Sequence, residues 1–444
     1  MSGRPGLGRD ARLLIAGQGV RAAGYGFTAV LLGALLAARG YRPGQVGLVL
    51  TALIAGTALA SLAVGALADR LGRRRCYAVF FTGIAVAGIV VATGAPLWVL
   101  LVVALTGTLS TDVVDNGPAT TLEQAMLAAE DAGTAAVFGR YNMVGSACGA
   151  LGALAVSLPA LATGHHKPPQ GWLFVVLVPV GLIGTGLAWR LSPAVEAGGK
   201  GRDAWAGVGT PRRLARARSR LGESRLVVRR MAALFAVDAG GSGLVTTGFL
   251  SYYLADRYHA TVIALGWLFF SVSAVQAISV AVAPLLARRF GLIATMVGTH
   301  LPSNVLLASV AFAPSFGVAA VLLLARTTIS QMDVPTRQAL VMTAVTPDER
   351  TAAAAVTNAA RYTVRPIGPL VAGAVQHIAL GAPLVVAGAV KAGYDVALWG
   401  WARRLPLGAL GSRGALAPAG TSQEQLTRSP AADGHSPDHE RGAP

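Results

Sequence analysis

The chain has 444 residues, of which 54% are hydrophobic and only 13% charged, with a formal net charge of +17. Soluble chains of this length carry about a quarter charged residues, so the composition argues against a conventional soluble enzyme. A strongly basic balance suits a nucleic-acid binder, but 34 of the 37 basic residues are Arg, a bias that reads as a GC-rich, bacterial coding preference, so position must decide what the charge means.

A membrane helix needs about 20 mostly apolar residues to cross a hydrocarbon core of about 30 Å. Twelve segments meet or approach that length: 13–38, 45–68, 77–93, 97–115, 135–161 and 172–191, then 226–255, 262–287, 292–312, 316–332, 352–378 and 384–402. Turn chemistry separates many of them, at Arg42-Pro43-Gly44, Gly94-Ala95-Pro96, Pro168-Pro169-Gln170-Gly171 and Gly381-Ala382-Pro383. The first apolar stretch is too long for a secretory signal and no small-residue cleavage site follows it cleanly, so it is expected to remain in the mature chain. The expected organisation is a six-helix bundle over 1–191, a basic linker over 192–225, a second six-helix bundle over 226–404, and a Gly-, Pro- and Ser-rich disordered tail over 405–444.

Arg and Lys in the loops set orientation. Only Arg39, Arg42, Lys167 and Arg257 lie on the side away from the termini, against 28 on the side of the termini. Both termini are therefore expected in the cytoplasm. The linker and its flanks, from Arg190 to Arg230, carry 11 basic residues against Glu196, Asp203 and Glu223, which reads as a cytosolic tether attracted to anionic lipid.

The two halves repeat. An offset of 219 residues sets Gly47 on Gly266, Leu67 on Leu286, Arg70 on Arg289 and Gly72 on Gly291. With small gaps, Glu123-Gln124-Ala125 falls on Arg337-Gln338-Ala339, and Arg140-Tyr141 on Arg361-Tyr362. Parallel repeats related by an axis along the membrane normal place a transport site near the midplane between them.

Between the second and third spans lies Gly65-Ala66-Leu67-Ala68-Asp69-Arg70-Leu71-Gly72-Arg73-Arg74-Arg75. Gly65 permits close helix approach, Gly72 a tight turn, and the arginines anchor a cytoplasmic face. This segment resembles the signature loop of the major facilitator superfamily, G-x-L-A-D-R-x-G-R-R-R, and the resemblance extends over about residues 10 to 404. It implies an all-α integral membrane fold of 12 transmembrane helices in two parallel six-helix repeats, and a gating loop of Gly65, Asp69, Arg70, Gly72 and Arg73 that latches the halves on the cytoplasmic side. In the second repeat Arg288 stands where Asp69 does in the first. Drug–proton antiporters of the superfamily resemble one another in a Gly-Pro-rich fifth span. Here the fifth span has Gly145, Gly149 and Gly152 but no Gly-Pro, whereas Gly368-Pro369 lies in the eleventh.

An ionisable residue at membrane depth costs at least about 2.5 kcal/mol and is a functional candidate by default. Arg21 lies roughly 12–15 Å into the first span and Asp238 about 16 Å into the seventh, at 1.5 Å per residue. Both sit in glycine clusters, and the repeat places them at corresponding depth, so they are expected to face each other. Arg361 and Arg365 share a helical face in the eleventh span. Arg326 lies in the tenth, with Asp333 further toward the cytoplasm, and Asp112 and Asp115 end the fourth. Lys391 and Asp395, four apart, are expected to neutralise each other. Four cations, Arg21, Arg326, Arg361 and Arg365, then remain against Asp238. Either this excess meets an anionic group on a substrate, or some of the guanidinium heads pair with Asp112, Asp115 and Asp333. Asp238 is the leading proton-carrying candidate, since burial and Arg21 act on it in opposite directions.

Neither a P-loop nor H-E-x-x-H occurs, Gly24-Tyr25-Gly26-Phe27-Thr28-Ala29 lies in an apolar span with no strand before it, and two cysteines, Cys76 and Cys148, are too few for a four-thiolate site. No cofactor, metal, catalytic residue or nucleic-acid partner is expected. The reading is a monomeric secondary transporter in the lipid bilayer of the cytoplasmic membrane, moving a small-molecule substrate by alternating access with protons as coupling ion. Efflux by antiport comes first; the alternatives are proton-linked uptake of an anionic solute and a non-transporting sensor or scaffold.

Overall fold

The computed structural model describes residues 7–112, 117–129, 135–163, 170–196 and 211–402. All regular structure in them is helical. The first part of the chain forms α1 (Arg9–Ala38), α2 (Pro43–Leu71), α3 (Arg73–Ala92), α4 (Leu97–Leu105), α5 (Pro118–Ala129), α6 (Ala135–Ala155), α7 (Leu158–Thr163) and α8 (Leu177–Arg190). A short helix α9 (Pro211–Ser219) leads to α10 (Arg225–Leu244), α11 (Thr247–Tyr258), α12 (Val262–Phe290) and α13 (Leu292–Val310). The chain continues through α14 (Phe316–Ser330), α15 (Asp333–Thr343), α16 (Arg350–Val364), α17 (Ile367–Val375) and α18 (Ala382–Ala402).

Among the described residues, nine helical stretches are long and apolar enough to cross a membrane. The segments 97–129, 350–375 and 382–402 occupy the places of the fourth, eleventh and twelfth spans, an arrangement consistent with twelve. Residues 1–404 form one compact unit. The disordered tail expected over 405–444, residues 197–210 of the linker and the expected partner Asp115 lie outside the described residues.

Several spans are interrupted, among them the fourth, seventh, tenth and eleventh. The fourth stops at Leu105, where Thr106 bonds back to the Val103 carbonyl and Gly107 turns left-handed at φ 71°; among the described residues the next helix begins at Pro118. This corrects the continuous span expected over 97–115 and leaves Asp112 outside either helix. The seventh restarts at Thr247, capped by the Thr246 hydroxyl, which accepts from Phe249 N at 3.2 Å. The tenth continues past Gln331 and Met332 into α15, so Asp333 opens a buried helix instead of lying beyond the span. The eleventh breaks at Arg365, because Pro366 supplies no N–H and clashes with a continuing helix.

The sides of the bundle are here the near side, where α1 begins, and the far side, where it ends. Toward the far side the two repeats approach closely. Ser251 Oγ on α11 donates to the Val30 carbonyl of α1 at 2.6 Å. A Cβ at Gly47 of α2 would lie 2.6 Å from the Pro369 carbonyl and 3.0 Å from Gly373 Cα on α17. Small residues at such contacts allow backbones to meet.

On the near side Gly72 (φ 93°) turns the chain between α2 and α3. The Glu196 carboxylate accepts from Arg73 N at 2.7 Å and Arg74 N at 3.0 Å, capping α3. Glu349 does the same service for α10, accepting from Gly222 N and from Ser224 N at 3.2 Å. Hydrogen bonds from Ser224 and Gly222 hold its carboxyl below the ordinary glutamate value.

Candidate functional site

The buried charges form two separate networks, one in each repeat. In the first, Arg21 on α1 donates to Glu123 Oε2 and to Thr120 Oγ1 of α5, both at 2.9 Å, and also to Gln18. Tyr77 from α3 donates to Glu123 Oε1 at 2.6 Å, and Tyr141 from α6 donates to the other oxygen. Arg21 is 1% exposed and Glu123 fully buried, and the Arg21 guanidinium lies 5.4 Å from the centre of the Tyr25 ring. Gly17 opens the space for Tyr77, since a Cβ there would overlap the tyrosine hydroxyl.

In the second network Asp238 on α10 accepts from Lys391 Nζ of α18 at 2.7 Å and from Arg337 of α15 at 3.3 Å. Arg337 also bonds Asp333 at 2.7 Å, and Lys391 bonds Ser242 at 2.7 Å. Gly241 leaves room for the Lys391 stem, whose Cγ would lie 2.7 Å from an added Cβ. Asp395 meets His300 Nδ1 at 2.8 Å and Asn304 Nδ2 at 2.8 Å.

Two expectations are corrected here. Arg21 does not pair with Asp238, because α5 supplies a nearer carboxylate within the first repeat. Lys391 does not neutralise Asp395; its stem crosses α10 at Gly241 and carries the ammonium to Asp238. The two networks are related with their signs exchanged. In the first repeat the cation is on the first span and the anion on the fourth, as Arg21–Glu123. In the second, the anion is on the first span and the cation on the fourth, as Asp238–Arg337. The alignment of Glu123-Gln124-Ala125 with Arg337-Gln338-Ala339 contained this pairing, but with both residues read as loop it carried no weight.

Between the repeats, Arg365 pairs with Asp112, the two side chains being 30% and 24% exposed. The pair borders a small cavity of about 30 Å³ lined by Leu53, Thr57, Ser61, Ser110 and Tyr362, among others. One to two waters fill such a space, so a substrate beside this pair requires it to open. Arg326 and Arg361 make no ion pair among the described residues, and the Nε of each is buried without a hydrogen-bond partner. Both lie within electrostatic reach of Asp238 and Asp333. Of the two alternatives for the intramembrane arginines, pairing with an inner acid holds for Arg365 and, among the described residues, which exclude Asp115, not for Arg326 or Arg361.

The loop Gly65–Arg75 is placed on the near side. Gly65 is half-buried in α2 and Arg70 exposed, while Arg73 is 3% exposed. Arg74 reaches the Trp189 carbonyl at 2.9 Å, so the start of α3 is tied to the end of the sixth span. The Asp69 side chain lies outside the described residues. Tyr25 donates to the Thr108 carbonyl at 3.2 Å, and Trp267 on α12 is 52% exposed.

These helices, paired repeats and mid-depth charges define a membrane transporter, and comparison with known proteins agrees. Residues 14–369 match the model of the Major Facilitator Superfamily. The chain belongs to this superfamily, whose members are transporters rather than enzymes. An uncharacterized membrane protein of Saccharomyces cerevisiae is 25% identical over 392 residues, covering 82% of this chain and 87% of its own. The nucleoside transporter NupG superposes with a TM-score of 0.66 at 16% identity, over 88% of this chain and 97% of its own. The xylose transporter XylE from E. coli, in a partially occluded inward-open conformation, does so with a TM-score of 0.61 at 14% identity, over 89% and 98%.

Proposed function

We propose that this protein is a proton-linked secondary transporter of a small organic anion, working by alternating access in a cytoplasmic membrane. The observation that carries the reading is the state of Arg326 and Arg361: two guanidinium groups at mid-depth, beside interrupted helices, with no ion-pair partner among the described residues. Uncompensated charge at that depth is costly when empty, and an anionic group on the cargo removes the cost on binding.

The bundles 1–191 and 226–404 rock about the site, joined by the linker 192–225. The gating loop of Gly65, Asp69, Arg70, Gly72 and Arg73 acts as a latch on the near, cytoplasmic side. The present arrangement has its tight inter-repeat contacts on the far side, so the cargo exchanges from the near side in this state. Opening the Asp112–Arg365 pair adds a third cation to the site.

An inside-negative potential opposes anion entry by about 2.3 kcal/mol per charge per 100 mV, and a co-transported proton neutralises that charge. Uptake is accordingly preferred here over the efflux suggested by resemblance to drug–proton antiporters, whose Gly-Pro pattern the fifth span lacks. The test is counterflow in vesicles with radiolabelled carboxylates, phosphorylated compounds and organic cations under imposed pH gradients. Anions should exchange, external acid should stimulate their accumulation, and Arg361→Gln or Arg326→Gln should weaken apparent affinity about tenfold to a hundredfold, the worth of one charge-assisted hydrogen bond. Exchange of cations or neutral compounds alone, unaffected by these substitutions, would overturn the reading; accumulation driven by internal acid would restore efflux; and no exchange at all would favour a sensor or scaffold.

A further inference from the structure

Asp395 is fully buried, yet neither of the groups hydrogen-bonded to it is a permanent cation: they are the neutral Asn304 amide and the His300 ring. A buried carboxylate without a cationic partner is strongly disfavoured. Lys391, the permanent cation within electrostatic reach of it, is committed elsewhere, as is Arg337 behind it. Lys391 sits on Asp238 and Ser242, and Arg337 bridges Asp238 and Asp333. His300 presents Nδ1 to both Asp395 oxygens, at 2.8 and 3.1 Å, and Nε2 to Asp238 Oδ1 at 3.9 Å. Nδ1 is within hydrogen-bond reach of Asp395 and Nε2, at 3.9 Å, is within ion-pair but not hydrogen-bond distance of Asp238, so the ring lies between two carboxylates.

The groups facing the ring come from every element packed on α13. From α18 they are Asp395, Lys391 and Tyr394, whose ring meets the imidazole edge-on at 6.1 Å. From α10 it is Asp238; behind it on α15 lie Asp333 and Arg337, and on α14 Arg326. The only charged residues of α12 are Arg288 and Arg289 at its near-side end.

We propose that His300 and Asp395 form a proton-binding site holding one dissociable proton between them, and that its loss transfers Lys391 from Asp238 to Asp395. On deprotonation an imidazolium N–H bond breaks, the electron pair stays on nitrogen, and the proton passes to water. Asp395 is then left with its charge uncovered. Lys391 is one turn away on the same helix, four residues earlier, and is the nearest mobile cation. Its move removes the charged link between α18 and α10, the first span of the second repeat, and leaves Asp238 with Arg337. The proton thereby controls a tether between the seventh and twelfth spans. Its place in the transport cycle rests on the proton-linked reading above; the protonation state does not.

The chain suits a direct test, because it contains three lysines and seven histidines. Full-length protein labelled with [15N]histidine and [15N]lysine is placed in lipid nanodiscs and followed by NMR from pH 5 to 9, the His300 signal being identified by its loss in His300→Gln or, if that variant does not express, His300→Asn. The expected result is an imidazolium 15N shift for His300 in the parent protein and a neutral-imidazole shift at the same pH in Asp395→Asn. The Lys391 signal, identified by its loss in Lys391→Arg, should move as His300 titrates and hold one position across the range in the His300 variant. A neutral His300 ring at every pH, or a Lys391 signal indifferent to His300 titration, overturns the proposal while leaving the anion-transport reading to its own flux assay.

Discussion

Arg21 shows how a charge inside a membrane protein need not touch cargo. Its guanidinium meets Glu123, Thr120 and Gln18, and Glu123 in turn accepts from Tyr77 and Tyr141, so four spans converge on one carboxylate. Removing one member of a buried ion pair costs about 3–5 kcal/mol because the other is left uncovered. Glu123→Gln is therefore expected to lower the thermal unfolding midpoint of the detergent-solubilised protein markedly. The double variant Arg21→Gln/Glu123→Gln should recover most of the loss, as a neutral hydrogen-bonded pair replaces a stranded cation. Equal destabilisation in the single and double variants would refute the pairing. Glu349, on the near-side surface, supplies the pH test at this scale. Its carboxyl titrates below the ordinary value in the folded state, held there by Ser224 and Gly222. The stability it contributes is therefore present above the usual glutamate range and lost as pH falls through the folded value. Unfolding midpoints measured across the acid range should show part of this acid sensitivity disappear in Glu349→Gln.

At the scale of elements, packing of α1 against α6 depends on backbone contact. A Cβ on Gly26 would overlap the Gly149 carbonyl, and one on Gly152 the Ala23 carbonyl. Gly139, on the same α6, faces open space. The two kinds of glycine predict opposite outcomes. Gly26→Val should destabilise strongly by forcing two helices apart, whereas Gly139→Ala should be neutral or stabilising by about 0.5–1 kcal/mol, since alanine gives up less backbone freedom on folding. Thermal unfolding of both variants under one condition distinguishes them. The interrupted spans carry the same lesson for the site. Arg365 stands at the break before Pro366, and Asp112 in the stretch after Gly107, so the ion pair they form between the repeats joins two chain breaks. Such junctions can change geometry without unwinding a helix.

For the whole molecule, the tight contacts lie toward the far side, at Gly33–Gly248, Gly47–Gly373 and Ser251–Val30. Gly47→Val should wedge α2 from α17 and shift the population toward opening there. A cysteine at Thr57, beside the cavity, in a background with Cys76 and Cys148 replaced by serine, would then react faster with a membrane-impermeant thiol reagent from the far side, by about tenfold for each 1.4 kcal/mol of bias. An unchanged rate would count against this seal. Much of this architecture was legible in the amino-acid order, because hydropathy, loop charge and turn residues are local: the apolar segments, the repeat, the loop at Gly65–Arg75 and the unusual arginines are all visible there. Which charges meet was not legible. Glu123 and Arg337 read as loop because prolines, polar residues and a charge interrupt their spans, and His300, though inside the ninth expected span, drops out of a charge count that treats histidine as neutral. Partner choice depends on residues about a hundred positions apart being brought to one depth by close helix contacts, and a small residue such as Gly241 decides which cation reaches which carboxylate. Segment and periodicity are properties of neighbours along the chain, so the sequence by itself determined the membrane fold and its family. Only the packed structure, where helix contacts bring distant residues to one depth, decided which charges pair: Arg21 with Glu123, and Asp238 with Lys391 and Arg337.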